Sequence, residues 1–169
     1  MVRTLRVALA AAVVLTLQAC GRRPPQAEAA DAAQHLLAAA WSGDARSFEA
    51  GLDRPAIRAD LRRQLAQVAQ ANTLSVEGGA SDAALDRMIS PAAFRLADDK
   101  GAALADAPAQ AQLVPLTAPL GKDRACVHAL SDPNACLLIF AREAAGWRLV
   151  GMAPPGFTLA IPPAPAKPG

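Results

Sequence analysis

Residues 124–152 read RACVHALSDPNACLLIFAREAAGWRLVGM, and the fold class follows from this stretch. Three short apolar runs, RACVHAL, ACLLIFAR and GWRLVGM, are separated by SDPN and EAAG. Clusters of Ser, Asp, Pro, Asn and Gly between such runs are turn signals. The spacing predicts a meander of three antiparallel strands. In the middle run both alternating sets are apolar, Leu138 with Phe140 and Leu137 with Ile139. A strand apolar on both faces is covered on both. Helices supply one cover, and the tail, the remaining loops or a partner chain must supply the other.

Upstream the periodicity changes from two to 3.6. Residues 28–41 place Ala33, Leu36, Leu37, Ala40 and Trp41 on one helical face. Gly43 suits the left-handed stop, and Asp44 caps a short helix over 45–52. Asp53 then caps a longer helix with Pro55 in its first turn and Ile57, Leu61, Leu65 and Val68 as its stripe. Ser81 caps a further helix, with Leu85, Met88 and Ile89 inward. Ser90-Pro91 restarts the chain into PAAFRLA. Residues 98–110 have no clear period and read as loop with some helical character. QLVPLT, residues 112–117, is another short apolar run of the strand region. Helices followed by strands make an α+β fold: N-terminal helices packed on a C-terminal curved antiparallel sheet of three or four strands. Aromatics are only 4% and tyrosine is absent, so Leu, Val, Ile and Ala must fill the core.

The N-terminus carries an address. Arg3 and Arg6 precede an apolar run over 7–17, too short to span a bilayer and proportioned like a secretory signal. Leu17-Gln18-Ala19-Cys20 resembles the bacterial lipobox, whose cysteine is lipidated and becomes the mature N-terminus. The organisation expected is a signal peptide over 1–19, a lipidated tether over 20–27, one domain over 28–155 and a proline-rich tail over 156–169. The residue after Cys20 is Gly21 rather than the Asp that often retains lipoproteins in the inner membrane. This favours the periplasmic face of the outer membrane. Without the first 19 residues the basic and acidic counts are equal, 15 each, so no global attraction to nucleic acid is expected.

Cys126 and Cys136 flank the SDPN turn at equal offsets from Ser131, a register that sets them opposite each other. In an oxidising compartment they form a disulfide, with two free buried thiols as the alternative. Their spacing is not that of a zinc site. Arg54, Arg58 and Arg62 recur every four residues as a basic stripe. It would contact a phosphate or lipid headgroup, or else form a solvated face with Asp60 and Glu49 as partners. His35 falls off the apolar face of its helix, His128 falls on the strand face of Cys126, and Asp98-Asp99 is an acidic pair in a loop. None of these comes with a partnering nucleophile. There is no Gly-rich phosphate loop, no Gly-x-Ser-x-Gly and no zinc-protease helix. No catalytic residue, cofactor or metal is assigned.

SGDARSFEAGLDRPAIRADLRRQL, SPAAFRLA and GWRLVGMAPP together resemble a family of uncharacterised bacterial envelope proteins, domain of unknown function 2939. The positions that carry the resemblance are Gly43, Asp44, Asp53, Pro55, Arg58, Leu61, Ser90, Pro91 and Trp147. The resemblance implies no activity, and it suggests a cystatin-like or NTF2-like shape. The function expected is that of a non-enzymatic envelope lipoprotein, joined to the membrane by its lipid and to a protein partner or a second copy through the sheet face. The alternative is a small-ligand or lipid carrier with a pocket between sheet and helices.

Overall fold

The meander is present. In the computed structural model, which describes residues 23–72, 79–154 and 156–165, three strands follow one another antiparallel: β3 (Arg124–Ala129), β4 (Asp132–Glu143) and β5 (Gly146–Met152). A three-residue strand, β2 (Thr117–Pro119), pairs with β3 and completes a four-stranded sheet in the order β2-β3-β4-β5. The fold is α+β. Its helices are α1 (Pro25–Ser42), α2 (Ala45–Ala50), α3 (Arg54–Ala71) and α4 (Asp82–Met88), with a single turn, α5 (Gln110–Leu113), just before β2.

The capping residues act as their types dictate. Gly43 takes φ 72° at the end of α1, a conformation that costs glycine little. Asp44, Asp53 and Ser81 accept from the backbone N–H of Ser47, Ala56 and Ala84, respectively. α1 lies across one sheet face. Its Ala33, Leu36 and Leu37 join Val127, Leu138, Phe140 and Leu149 in one buried cluster. α3 runs along the β5 edge instead. The Leu149 carbonyl accepts from the Asp53 N–H at 2.8 Å, and the Leu149 N–H donates to the Gly51 carbonyl at 2.9 Å. Residues 51–53 therefore occupy the edge of β5 and protect it from pairing with another chain. Farther along, Gln64 Nε2 donates to the Met152 carbonyl at 2.9 Å. Gly151 permits this close approach, because a Cβ there would stand 2.8 Å from Asp60 Oδ2.

Several expectations are corrected. QLVPLT is not a strand: α5 and a 3₁₀ turn (Val114–Leu116) consume most of it, and β2 begins only at Thr117. A run of four apolar or small residues does not distinguish a buried helical turn from a strand. PAAFRLA, to which the sequence assigns no element, is one 3₁₀ turn (Pro91–Ala93) followed by a strand, β1 (Arg95–Asp98). The helix expected from residue 28 starts at Pro25. The expected tail supplies a last strand, β6 (Thr158–Ile161), which pairs in parallel with β1. Leu159 and Ile161 are buried, and Gln112 Nε2 donates to the Pro162 carbonyl at 2.7 Å. Phe94 stacks edge-on between Phe48 and Phe157, at 5.5 Å and 6.2 Å, and so ties α2 to the segment leading into β6. Trp41, placed inward by its spacing, is 45% exposed. The buried stripe of α1 ends with Ala39, before that position is reached.

Candidate functional site

Cys20, the proposed lipidation residue, lies outside the described residues. Among those described, no helix is long and apolar enough to cross a membrane.

Cys126 and Cys136 are bridged, with Cα atoms 5.7 Å apart. The register is not the one expected. Cys126 stands opposite Ile139, and Cys136 stands opposite His128. The turn is confined to Leu130 and Ser131, so Asp132, Pro133 and Asn134 belong to β4. Pro133 has no N–H to give to a ladder, and the pairing shifts on both sides of His128. Residues 133–135 and Leu137 are thereby extra on β4, a bulge that carries Cys136 back toward Cys126 and makes the bridge diagonal. His128 Nδ1 lies 3.9 Å from Cys126 Sγ, and that sulfur is committed to the bridge.

The arginine stripe is already occupied. Arg58 donates to both carboxylate oxygens of Asp86, at 2.8 Å and 2.6 Å. Arg54 bridges Glu49 and Asp86, and Arg62 pairs with Asp82. Glu49 was legible as a partner. Asp82 and Asp86 were not, although they stand four apart on α4 as the arginines do on α3. Asp60, the other expected partner, pairs with Arg63 and Gln64. Its side chain lies against Gly151 of β5 and away from the stripe. Hydrogen bonds from Arg58 hold the Asp86 carboxyl below the ordinary carboxylate range, and those from Arg54 do the same for Glu49. With each guanidinium paired to a carboxylate, the stripe is a clamp between α3 and α4 rather than an open anion site.

A second polar cluster escaped sequence reasoning because Glu28 is more than a hundred residues from its partners. Glu28, in the first turn of α1, accepts from Arg142 Nη2 at 2.5 Å and from Trp147 Nε1 at 3.1 Å. Arg142 also sits 5.0 Å over the indole ring. Trp147 packs against the core on one side, as its place on the last strand of the meander suggests.

Open grooves among the described residues include the following two. The larger, about 760 Å³, follows the C-terminal half of α1 and is lined in part by His35, Trp41, Asp44 and Trp147. His35 Nδ1 lies 2.8 Å from the Asp31 carbonyl. Ser42 Oγ donates to the Ala39 carbonyl, so it is not aligned with the imidazole as a nucleophile. The smaller, about 410 Å³, lies between α4 and the 3₁₀ turn at Pro91–Ala93. Asp98 of the acidic pair accepts from the backbone N–H of Lys100 and Ala102, and it serves the turn after β1. Among the described residues no three His, Cys, Asp or Glu side chains are placed to hold a metal. No protein-family model, curated protein or solved structure matches the chain.

Proposed function

We propose that the chain is a non-enzymatic cell-envelope lipoprotein, anchored through Cys20, whose domain serves as an interaction or structural module facing the periplasm. One observation carries the reading: the two faces of the sheet are treated differently. Val127, Leu138, Phe140 and Leu149 are sealed beneath α1. On the other face Ala118, Cys126 and Ile139 stand abreast. Ala118 and Ile139 there are only half-buried, as is Ala141 two places along β4. The Cys126–Cys136 bridge suits an oxidising compartment. A carrier would need space between α1 and the sheet, and that layer is filled by side chains of the core cluster.

A photoreactive residue in place of Ile139, compared with one in place of the exposed Val68 on α3, tests this in intact cells. A discrete protein adduct from position 139 and none from 68 is expected. The adduct must re-form when the captured protein and this chain are purified and mixed. Equal labelling from both positions overturns the interaction reading.

A further inference from the structure

The two sulfurs of the Cys126–Cys136 bridge have opposite surroundings. Cys126 lies within β3 and is 2% exposed. His128 Nδ1, 3.9 Å from its Sγ, is within reach of an N–H···S hydrogen bond. Cys136 is half-buried and lies just beyond the exposed residues Ser131, Asp132, Pro133 and Asn134. The carbonyl oxygen of Leu138 stands 3.6 Å from its Sγ. One sulfur therefore faces a nitrogen able to donate, and the other faces a lone pair.

This asymmetry gives thiol–disulfide exchange a direction. The rate depends on which sulfur an incoming thiolate reaches and on how readily the other sulfur leaves as a thiolate. Access favours attack at Cys136. Charge favours the same direction. The Leu138 carbonyl would repel a thiolate on Cys136, whereas a thiolate on Cys126 accepts from His128 Nδ1 when that nitrogen carries the proton. Burial alone would disfavour an anion on Cys126, and the imidazole is the neighbour that offsets it. The chain leading to Cys136 is also loosely tied to the sheet. Residues 133–135 have no partner on β3, and the Asn134 N–H donates to the Asp132 carboxylate instead, at 2.9 Å.

We infer that the bridge is a thiol–disulfide exchange site for a dithiol reductant, attacked at Cys136 and opened toward Cys126 beside His128. The first thiolate of the reductant bonds to Cys136 Sγ. The bond between Cys126 and Cys136 breaks, and its electron pair leaves on Cys126 Sγ, where His128 stabilises it. The second thiol of the reductant, once deprotonated, attacks the reductant sulfur held by Cys136. Cys136 leaves as a thiolate, and the reductant departs as its own disulfide. Both cysteines end protonated, with two electrons and two protons taken from the dithiol. Cys126 stands abreast of Ala118 and Ile139 on the open sheet face, so reduction releases the bulge beside that face. The reaction requires neither the lipid anchor nor a partner protein.

The test uses the purified full chain with the bridge intact. The folded protein is treated briefly with glutathione, quenched with N-ethylmaleimide, and mapped by peptide mass spectrometry. Glutathione on Cys136 and maleimide on Cys126 are expected. The reverse pattern, an equal mixture or no adduct overturns the inference. Reduction by dithiothreitol is then followed at rising concentration. The rate should rise in proportion to dithiothreitol, and a rate that levels off at the rate of global unfolding overturns direct attack. His128→Gln, first shown to melt like the parent, should slow reduction at least severalfold. An unchanged rate overturns the role given to His128. The adduct map needs no variant, so it decides the direction of opening even if His128→Gln does not fold.

Discussion

α1 and α3 are both 18 residues long, yet they are held by different physics. α1 buries Ala29, Ala30, Ala33, Leu36, Leu37 and Ala39, and it crosses the sheet face. α3 buries only Ile57 and Leu61, and it runs along the sheet edge. The rest of its grip is polar: a backbone bridge before its first turn, Gln64 on Met152, and a row of arginines on α4. α1 draws its stability chiefly from apolar area removed from water, which charge screening does not weaken, with the Glu28–Arg142 ion pair added at its first turn. α3 adds ion pairs that remain largely in contact with water, and such pairs are weak singly and screened by salt.

The largest effect should come from α1. Leu37 is fully buried, and Leu37→Ala should destabilise by about 2–5 kcal/mol in urea or thermal unfolding. A loss below about 1 kcal/mol would break the contrast, since no ion pair on α3 is expected to exceed that. Opening the Cys126–Cys136 bridge comes next. Its short loop is worth about 2–3 kcal/mol in the chain-entropy model. Both helices pack on the bridged sheet, so hydrogen-exchange protection should fall in α1 and α3 together. A fall in only one would show that the two helices unfold separately.

Asp53→Ala removes the cap of α3 and should cost about 1 kcal/mol. Protection should drop first at the Ala56 amide, and a loss confined to α1 would refute the assignment. Acid should then loosen the clamp between α3 and α4. The folded-state pKa values of Asp86 and Glu49 lie below their ordinary values. Their contribution is complete above the unfolded values, near 4, and disappears as pH falls through the folded ones. Urea midpoints at neutral and acid pH, compared with those of Asp86→Asn, isolate it. The variant should lose less than the parent on acidification, and an equal loss in both would remove the clamp from the account. Val68→Ser lies at the outer end of the α3 stripe, where Val68 is 54% exposed. It should change stability by less than about 0.5 kcal/mol. A larger cost would mean that α3 buries more than its two core residues.

The same contrast explains what was legible. Caps were readable because a capping side chain acts within three residues of itself, as Asp44, Asp53 and Ser81 do. The β3–β4–β5 meander was readable because its turns are short and its neighbours are consecutive. The β1–β6 pair was not, because it joins Arg95–Asp98 to Thr158–Ile161 across some sixty residues and β6 sits in a proline-rich stretch. Asp82 and Asp86 were visible as carboxylates, and Arg54, Arg58 and Arg62 as a stripe. Nothing in either periodicity says that the two rows face each other. The arginines therefore looked available for a headgroup, and the packing of α4 on α3 withdrew them.

By itself the sequence determined the local order of this protein: the α+β class, the caps, the meander, and two cysteines close enough to bridge. Each depends on residues near one another along the chain, where side-chain type and backbone preference act directly. Only the tertiary structure decided which charges are spent and which are free. It placed Glu28 on Arg142 and Trp147, set the diagonal register of the bridge, and turned Asp82 and Asp86 toward the arginines of α3. Those outcomes turn on contacts between distant segments, whose closure entropy is repaid only when the whole core assembles.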